Sequence, residues 1–168
     1  VIDRLHAEGL LAGLHTYAFF LDKQCPWVTP KPDPRLAHDA VFTLAADLGA
    51  EDAAVPVRES TAAMSAVTGF NVRNSTTLQI GEELIEYAGV AREAPFAFTA
   101  CRRGALGTRA AAHPRGAPVR HLKECFGLFV PDPDSTLFTE VAAATADTFN
   151  ACGFDMIYFD ALDGEDIL

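Results

Sequence analysis

Apolar and polar positions recur with two different periods along this chain, and the change of period divides it. At the N-terminus Ile2 and Leu5 stand at helical spacing and the run closes at Gly9, which predicts a short helix ended by a glycine. Residues 10–20, LLAGLHTYAFF, are mostly apolar and bounded by Gly9 and by Asp22-Lys23, the pattern of a parallel strand buried on both faces. The C-terminal part repeats the order. The proline-rich stretch Pro131 to Ser135 ends in N-cap residues, Asp134 or Ser135, and Phe138, Val141, Thr145, Phe149 and Cys152 follow at helical intervals up to Gly153. Phe154 to Asp160 then predict a short apolar strand ending in a carboxylate.

The segment between, residues 37–122, has the texture of β structure. Thr77 to Ile80 and Glu83 to Tyr87 flank a Gly81-Glu82 turn, which predicts a hairpin, and Phe96 and Phe98 alternate as in a half-buried strand. Arg102-Arg103-Gly104 and Leu106-Gly107-Thr108 mark tight turns, and Ala117 to Leu122 predict a closing edge strand. Helix, strand, long excursion, helix, strand is the α/β alternation that makes two parallel neighbouring strands. The excursion falls after the first strand, at the carboxyl edge where such sheets hold their ligands.

Composition narrows the function. A formal net charge of −10 and a pI near 4.8 argue against nucleic acid, whose binding is driven by Lys and Arg. A neutral sugar is compatible. No apolar run approaches the ~20 residues of a membrane span. Cys25, Cys101, Cys125 and Cys152 form no C-x-x-C or Cys/His cluster, so no metal site is expected and buried free thiols are the plain expectation. The chain opens on Val1 rather than Met, and residues 164–168 stop directly after the last predicted strand, so both ends are expected to be cut from a longer protein.

Gly13-Leu14-His15-Thr16-Tyr17, Val28 to Leu36, and Gly153 to Gly164 together resemble bacterial glycoside-hydrolase-like (β/α) barrels distantly similar to α-galactosidases. Ile80 to Tyr87, Cys101 to Thr108 and Ala112 to Gly116 look like a small β-module found inserted in such barrels, and a similar glycine and histidine pattern occurs in phage tail proteins. The resemblance implies a partial (β/α) barrel of two helix-strand units, over 1–36 and 123–168, interrupted by a small antiparallel β domain over 37–122. At 168 residues the chain is short of the roughly 200 to 250 that a whole barrel needs. The implied partners are a carbohydrate substrate and the remainder of the barrel chain, with no cofactor. Such hydrolases are often periplasmic or secreted, which is the location the resemblance points to.

In that family a carboxylate at the end of a central strand is the nucleophile, and Asp160 matches its position; the acid/base of a later strand has no counterpart here. Asp163, three residues on, is a candidate for substrate binding, against a solvated acidic loop that also takes in Glu165 and Asp166. His15 and Tyr17 share a strand face by period two and can hydrogen-bond sugar hydroxyls, against a satisfied core histidine. Trp27, the only tryptophan, offers a face on which a pyranose ring can stack, against packing on the inserted domain. Asp22 and Lys23 either line the crevice or pair on the surface. Arg102, Arg103, Arg109 and Arg115 with His113 make a basic patch that reads as a solvated rim more readily than as a ligand site. A non-catalytic carbohydrate-binding or structural, phage-tail-like β-module is the alternative function.

Overall fold

A computed structural model describes the backbone of residues 1–168 and all side chains except those of Asp163, Glu165 and Asp166. In chain order the elements are α1 (Ile2–Ala7), β1 (Gly13–Thr16), β2 (His38–Thr43), β3 (Val55–Pro56), β4 (Thr77–Ile80), β5 (Glu83–Glu86), β6 (Gly89–Ala91) and β7 (Ala97–Thr99). They continue with β8 (Pro118–Leu122), β9 (Glu124–Cys125), β10 (Leu128–Phe129), α2 (Thr136–Cys152) and β11 (Met156–Phe159).

The α/β class is overturned. Strand outweighs helix, 30% against 18%, and most of it lies in antiparallel sheets. There are two α-helices, and the first has six residues of which none is buried, so two helix-strand units of a partial barrel do not form. The reason lies in the first apolar run. Only Gly13 to Thr16 make a strand; Ala18 takes a left-handed φ of 42° and the Phe20 N–H bonds the Tyr17 carbonyl at 2.9 Å, so the backbone turns away. Leu10 and Leu11, expected in a core strand, are 55% and 80% exposed, while Phe20 and Leu21 swing into separate apolar clusters.

Two of the expected relations are present. β1 and β11 are parallel neighbours, with Gly13 opposite Met156 and Thr16 opposite Phe159. α2 starts where Ser135 Oγ accepts the Leu137 N–H and ends at Gly153 in the left-handed region, the capping that its sequence predicts.

The antiparallel part is built from a four-stranded sheet ordered β2-β8-β4-β5 and a three-stranded sheet ordered β3-β7-β6. Phe42, Leu44, Val55, Leu78, Ile85, Phe98 and Val119 fill one apolar cluster with residues from both sheets. β8, expected at the edge, is interior, between β2 and β4; Pro118 is tolerated because it opens the strand, and Val119, His121 and Leu122 are buried. A further hairpin, β9-β10, turns through Phe126 and its following glycine, both left-handed, at φ 53° and 74°. Leu84, Leu122 and Phe129 meet Leu137 and Val141 of α2 in a second cluster, which fastens the helix to the β structure. No described helix is long and apolar enough to cross a membrane.

Candidate functional site

Parallel pairing brings the carboxyl ends of β1 and β11 together. His15 stands opposite Tyr158, and the Asp160 N–H continues the ladder to the Thr16 carbonyl at 2.8 Å. Asp160 is thereby placed beside His15, whose Nε2 lies 3.2 Å from Oδ2. Its Oδ1 accepts the Ala161 N–H at 2.8 Å and a longer contact from the Tyr158 hydroxyl at 3.5 Å. Ala161 has a φ of 62°, a conformation costly for alanine, and is buried; the turn it makes aims its N–H back at the carboxylate. The Ala161 N–H first, and then His15, hold the Asp160 carboxyl below the ordinary carboxylate range. It is an ionised acceptor, open to solvent.

Aromatic rings surround this pair. The His15 ring stacks on Tyr158, with centroids 5.5 Å apart and planes 18° from parallel, and Tyr17 lies 5.5 Å away on a tilted plane. Next to it runs a cleft of about 290 Å³ lined by His15, Thr16, Asp22, Cys25, Trp27 and the Thr145 side of α2. Trp27 is half-buried: it packs against the Leu21, Val28 and Leu137 cluster and also lines the cleft. The packing expected of that tryptophan is present, and part of its side chain remains open to the cleft. Asp22 lines the cleft too, with Oδ1 accepting the Gln24 N–H at 2.7 Å. Lys23 does not pair with it; its ammonium donates to the buried Glu124 at 2.9 Å and sits 5.1 Å over the Phe129 ring.

The structure thus gathers Asp160, His15 and Tyr17 into one cluster, with His15 shared by the cleft that holds Trp27. The side chain of Asp163 lies outside the described residues. Tyr158 is the participant that sequence reasoning missed, although its period-two spacing from Asp160 was the signal. Asp155, at the other end of β11, accepts from Ala12 N and His6 Nε2, both at 2.8 Å, so each end of the strand is clipped to its neighbour by a His–Asp pair.

The basic patch separates into different roles. Arg102 pairs with Glu86, whereas Arg103 is buried and donates from Nε and Nη2 to Glu83 at 2.8 Å each. Glu83, fully buried, also accepts from Gly104 N, Ala111 N and His113 Nε2 at 3.0, 3.1 and 2.7 Å. Burial pushes the Glu83 pKa up, but the hydrogen bonds from Arg103, His113 and the two backbone amides outweigh it and hold the carboxyl below its usual value. The glycine-rich turns are thus the two sides of a clasp. A second chain runs from the exposed Asp39 to the buried His121 and Tyr87, with His121 Nδ1 2.6 Å from Asp39 and Nε2 2.9 Å from the Tyr87 hydroxyl.

Among the described residues no group of three or more His, Cys, Asp or Glu side chains is placed to hold a metal ion. Cys125 is buried and Cys152 exposed; burial raises the Cys25 thiol in the cleft and pushes Cys101 up to about 11. Compared with models of known protein families and with curated protein sequences, the chain matches none.

Proposed function

We propose that this chain carries the sugar-binding crevice of a glycoside-hydrolase-like protein, with Asp160 as its ionised carboxylate. One observation supports this above the rest: a carboxylate at the carboxyl ends of adjacent parallel strands, held by the Ala161 N–H and by His15, whose ring contacts Tyr17 and Tyr158 and lines a cleft that contains Trp27. A pyranose presents hydroxyls to such a carboxylate and imidazole, and C–H faces to such rings. The ionised state of Asp160 is the one a nucleophile or an electrostatic stabiliser requires.

Cleavage of a glycosidic bond needs a second carboxyl group, roughly 5 to 9.5 Å away and protonated when the leaving group departs. Asp22, the described carboxylate that lines the cleft, is engaged by the Gln24 amide. Binding is therefore what these residues supply, and the 168-residue chain is expected to bind sugars and to turn over no glycoside. The exposed apolar belt of Met156, Tyr158, Phe159 and Leu162 favours the second reading, a non-catalytic module used in assembly.

A fluorescence titration of Trp27 with neutral mono- and oligosaccharides separates the two. Saturable quenching, weakened at least tenfold by Asp160→Asn, supports the crevice. Quenching by none of the sugars refutes it and leaves the assembly reading.

A further inference from the structure

We propose that a second cleft, sharing no residue with the one beside Asp160, binds a small oxyanion, either a carboxylate or a phosphate. It has a volume of about 400 Å³ and is formed where the loop around Lys31 meets the β4-β5 turn and the chain from Gly107 to His113. Its walls are held from within. The Glu83 clasp bonds Gly104, Ala111 and His113, and Thr108 Oγ1 accepts the Leu84 N–H at 3.0 Å while donating to the Ala105 carbonyl at 2.8 Å. Gly107 closes the corner: its φ is 78°, and a Cβ there would lie 2.8 Å from Thr29 Oγ1, so only glycine lets the Lys31 loop come this near.

Arg109 is displayed from this rigid frame. It is exposed, and among the described residues it has no ion-pair or hydrogen-bond partner. Every other charge lining or underlying the cleft is engaged. Arg103 answers Glu83, and Lys31 donates to Glu82 at 3.0 Å. That last pair is exposed on both sides, so it is weak and Lys31 is free to turn toward an incoming anion. Of the charges lining the cleft, Lys31 is answered by Glu82, and Glu83 is already answered by Arg103 behind it, so Arg109 is the lining cation left without a carboxylate.

His113 adds a directional group. Glu83, being ionised, only accepts, so His113 Nε2 carries the proton of their 2.7 Å bond. Nδ1 has no partner among the described residues and can take a hydrogen bond from an O–H on the ligand. Hydrogen phosphate and the hydroxy acids have both the charge for Arg109 and that O–H.

The test is an NMR titration of the full chain with inorganic phosphate and with glycolate, glucose serving as the uncharged control, read at the His113 ring and the Arg109 side chain. Saturable shifts with phosphate, glycolate or both are expected, and which of them binds more tightly names the source of the oxyanion. Arg109→Gln, a surface change, is expected to weaken binding at least tenfold, since hydrogen bonds to charged groups are the strong ones. Glu82→Gln, which frees Lys31, is expected to tighten it several-fold, and Asp160→Asn to leave it unchanged. No saturable shift with either anion, an affinity indifferent to Arg109→Gln, or weaker binding in Glu82→Gln would overturn the proposal.

Discussion

Removing the charge of Glu83 is a severe change, because its carboxylate is fully buried against Arg103. In Glu83→Gln an amide NH₂ replaces one carboxylate oxygen in a site where Arg103 Nε and Nη2, Gly104 N, Ala111 N and His113 Nε2 all point donors inward. The buried Arg103 guanidinium keeps its cost of desolvation and loses its counter-charge. Breaking a buried pair in this way costs about 3–5 kcal/mol. A domain of ordinary stability has about 5–15 kcal/mol in total, so the variant sits near the edge of folding. With a urea slope of about 2 kcal/mol/M, the midpoint is expected to fall by about 2 M. The assay is urea denaturation followed by Trp27 fluorescence and far-UV circular dichroism together, so that coincident transitions confirm a single unfolding step. Arg103→Met on the Glu83→Met background is expected to recover only part of the loss, because it removes the orphaned charge but leaves the Gly104 and Ala111 amides and His113 Nε2 without their acceptor. A loss under about 1 kcal/mol in Glu83→Gln would refute the reasoning and return these turns to the solvated rim that the sequence suggests.

Acid is expected to loosen the β1-β11 pair. The Asp155 carboxyl is lowered by the Ala12 N–H and then His6, as Asp160 is by the Ala161 N–H and then His15, so both folded values lie below the ordinary 3.8. Groups lowered in the folded state stabilise fully above their unfolded pKa and lose that contribution as pH falls through the folded one. The protection factors of the Asp155 and Asp160 amides, taken against the intrinsic exchange rate at each pH, are therefore expected to fall only below about pH 4, and a loss of protection between pH 7 and 5 would contradict the clips. Ser135→Ala is expected to cost about 1 kcal/mol by removing the Oγ acceptor of the Leu137 N–H, read as a shift in the urea midpoint; no shift would mean that the cap carries no stability. In an assay with aryl α- and β-glycosides the 168-residue chain is expected to show no enzymatic turnover, and turnover abolished by Asp160→Asn would show that both catalytic acids are already present.

Local signals were legible where one element contains its own cause. Ser135 and Gly153 bracket α2, the Gly81-Glu82 turn joins β4 and β5, and Asp160 ends a strand beside the one that carries His15. What was not legible depends on neighbours distant in sequence. The apolar run from Leu10 to Phe20 has no internal stop, yet Ala18 turns left-handed and its last apolar residues join clusters made by Phe129 and Cys125. Phe126 gives no turn signal, and its left-handed conformation is imposed by the β9-β10 pairing. Glu83 and Glu86 look alike in the sequence; one is fully buried under Arg103 and the other pairs at the surface with Arg102. The α/β expectation failed for the same reason, since period and punctuation do not reveal which runs pair.

The most direct test of the sugar crevice is a ¹H–¹⁵N map of the chain titrated with a panel of neutral oligosaccharides. Saturable shifts confined to the amides of His15, Thr16, Asp160 and Ala161 and the Trp27 indole are the expected result, with loss of the effect in Asp160→Asn. Shifts that fall on the antiparallel sheets instead, or no shifts with any sugar, would contradict it.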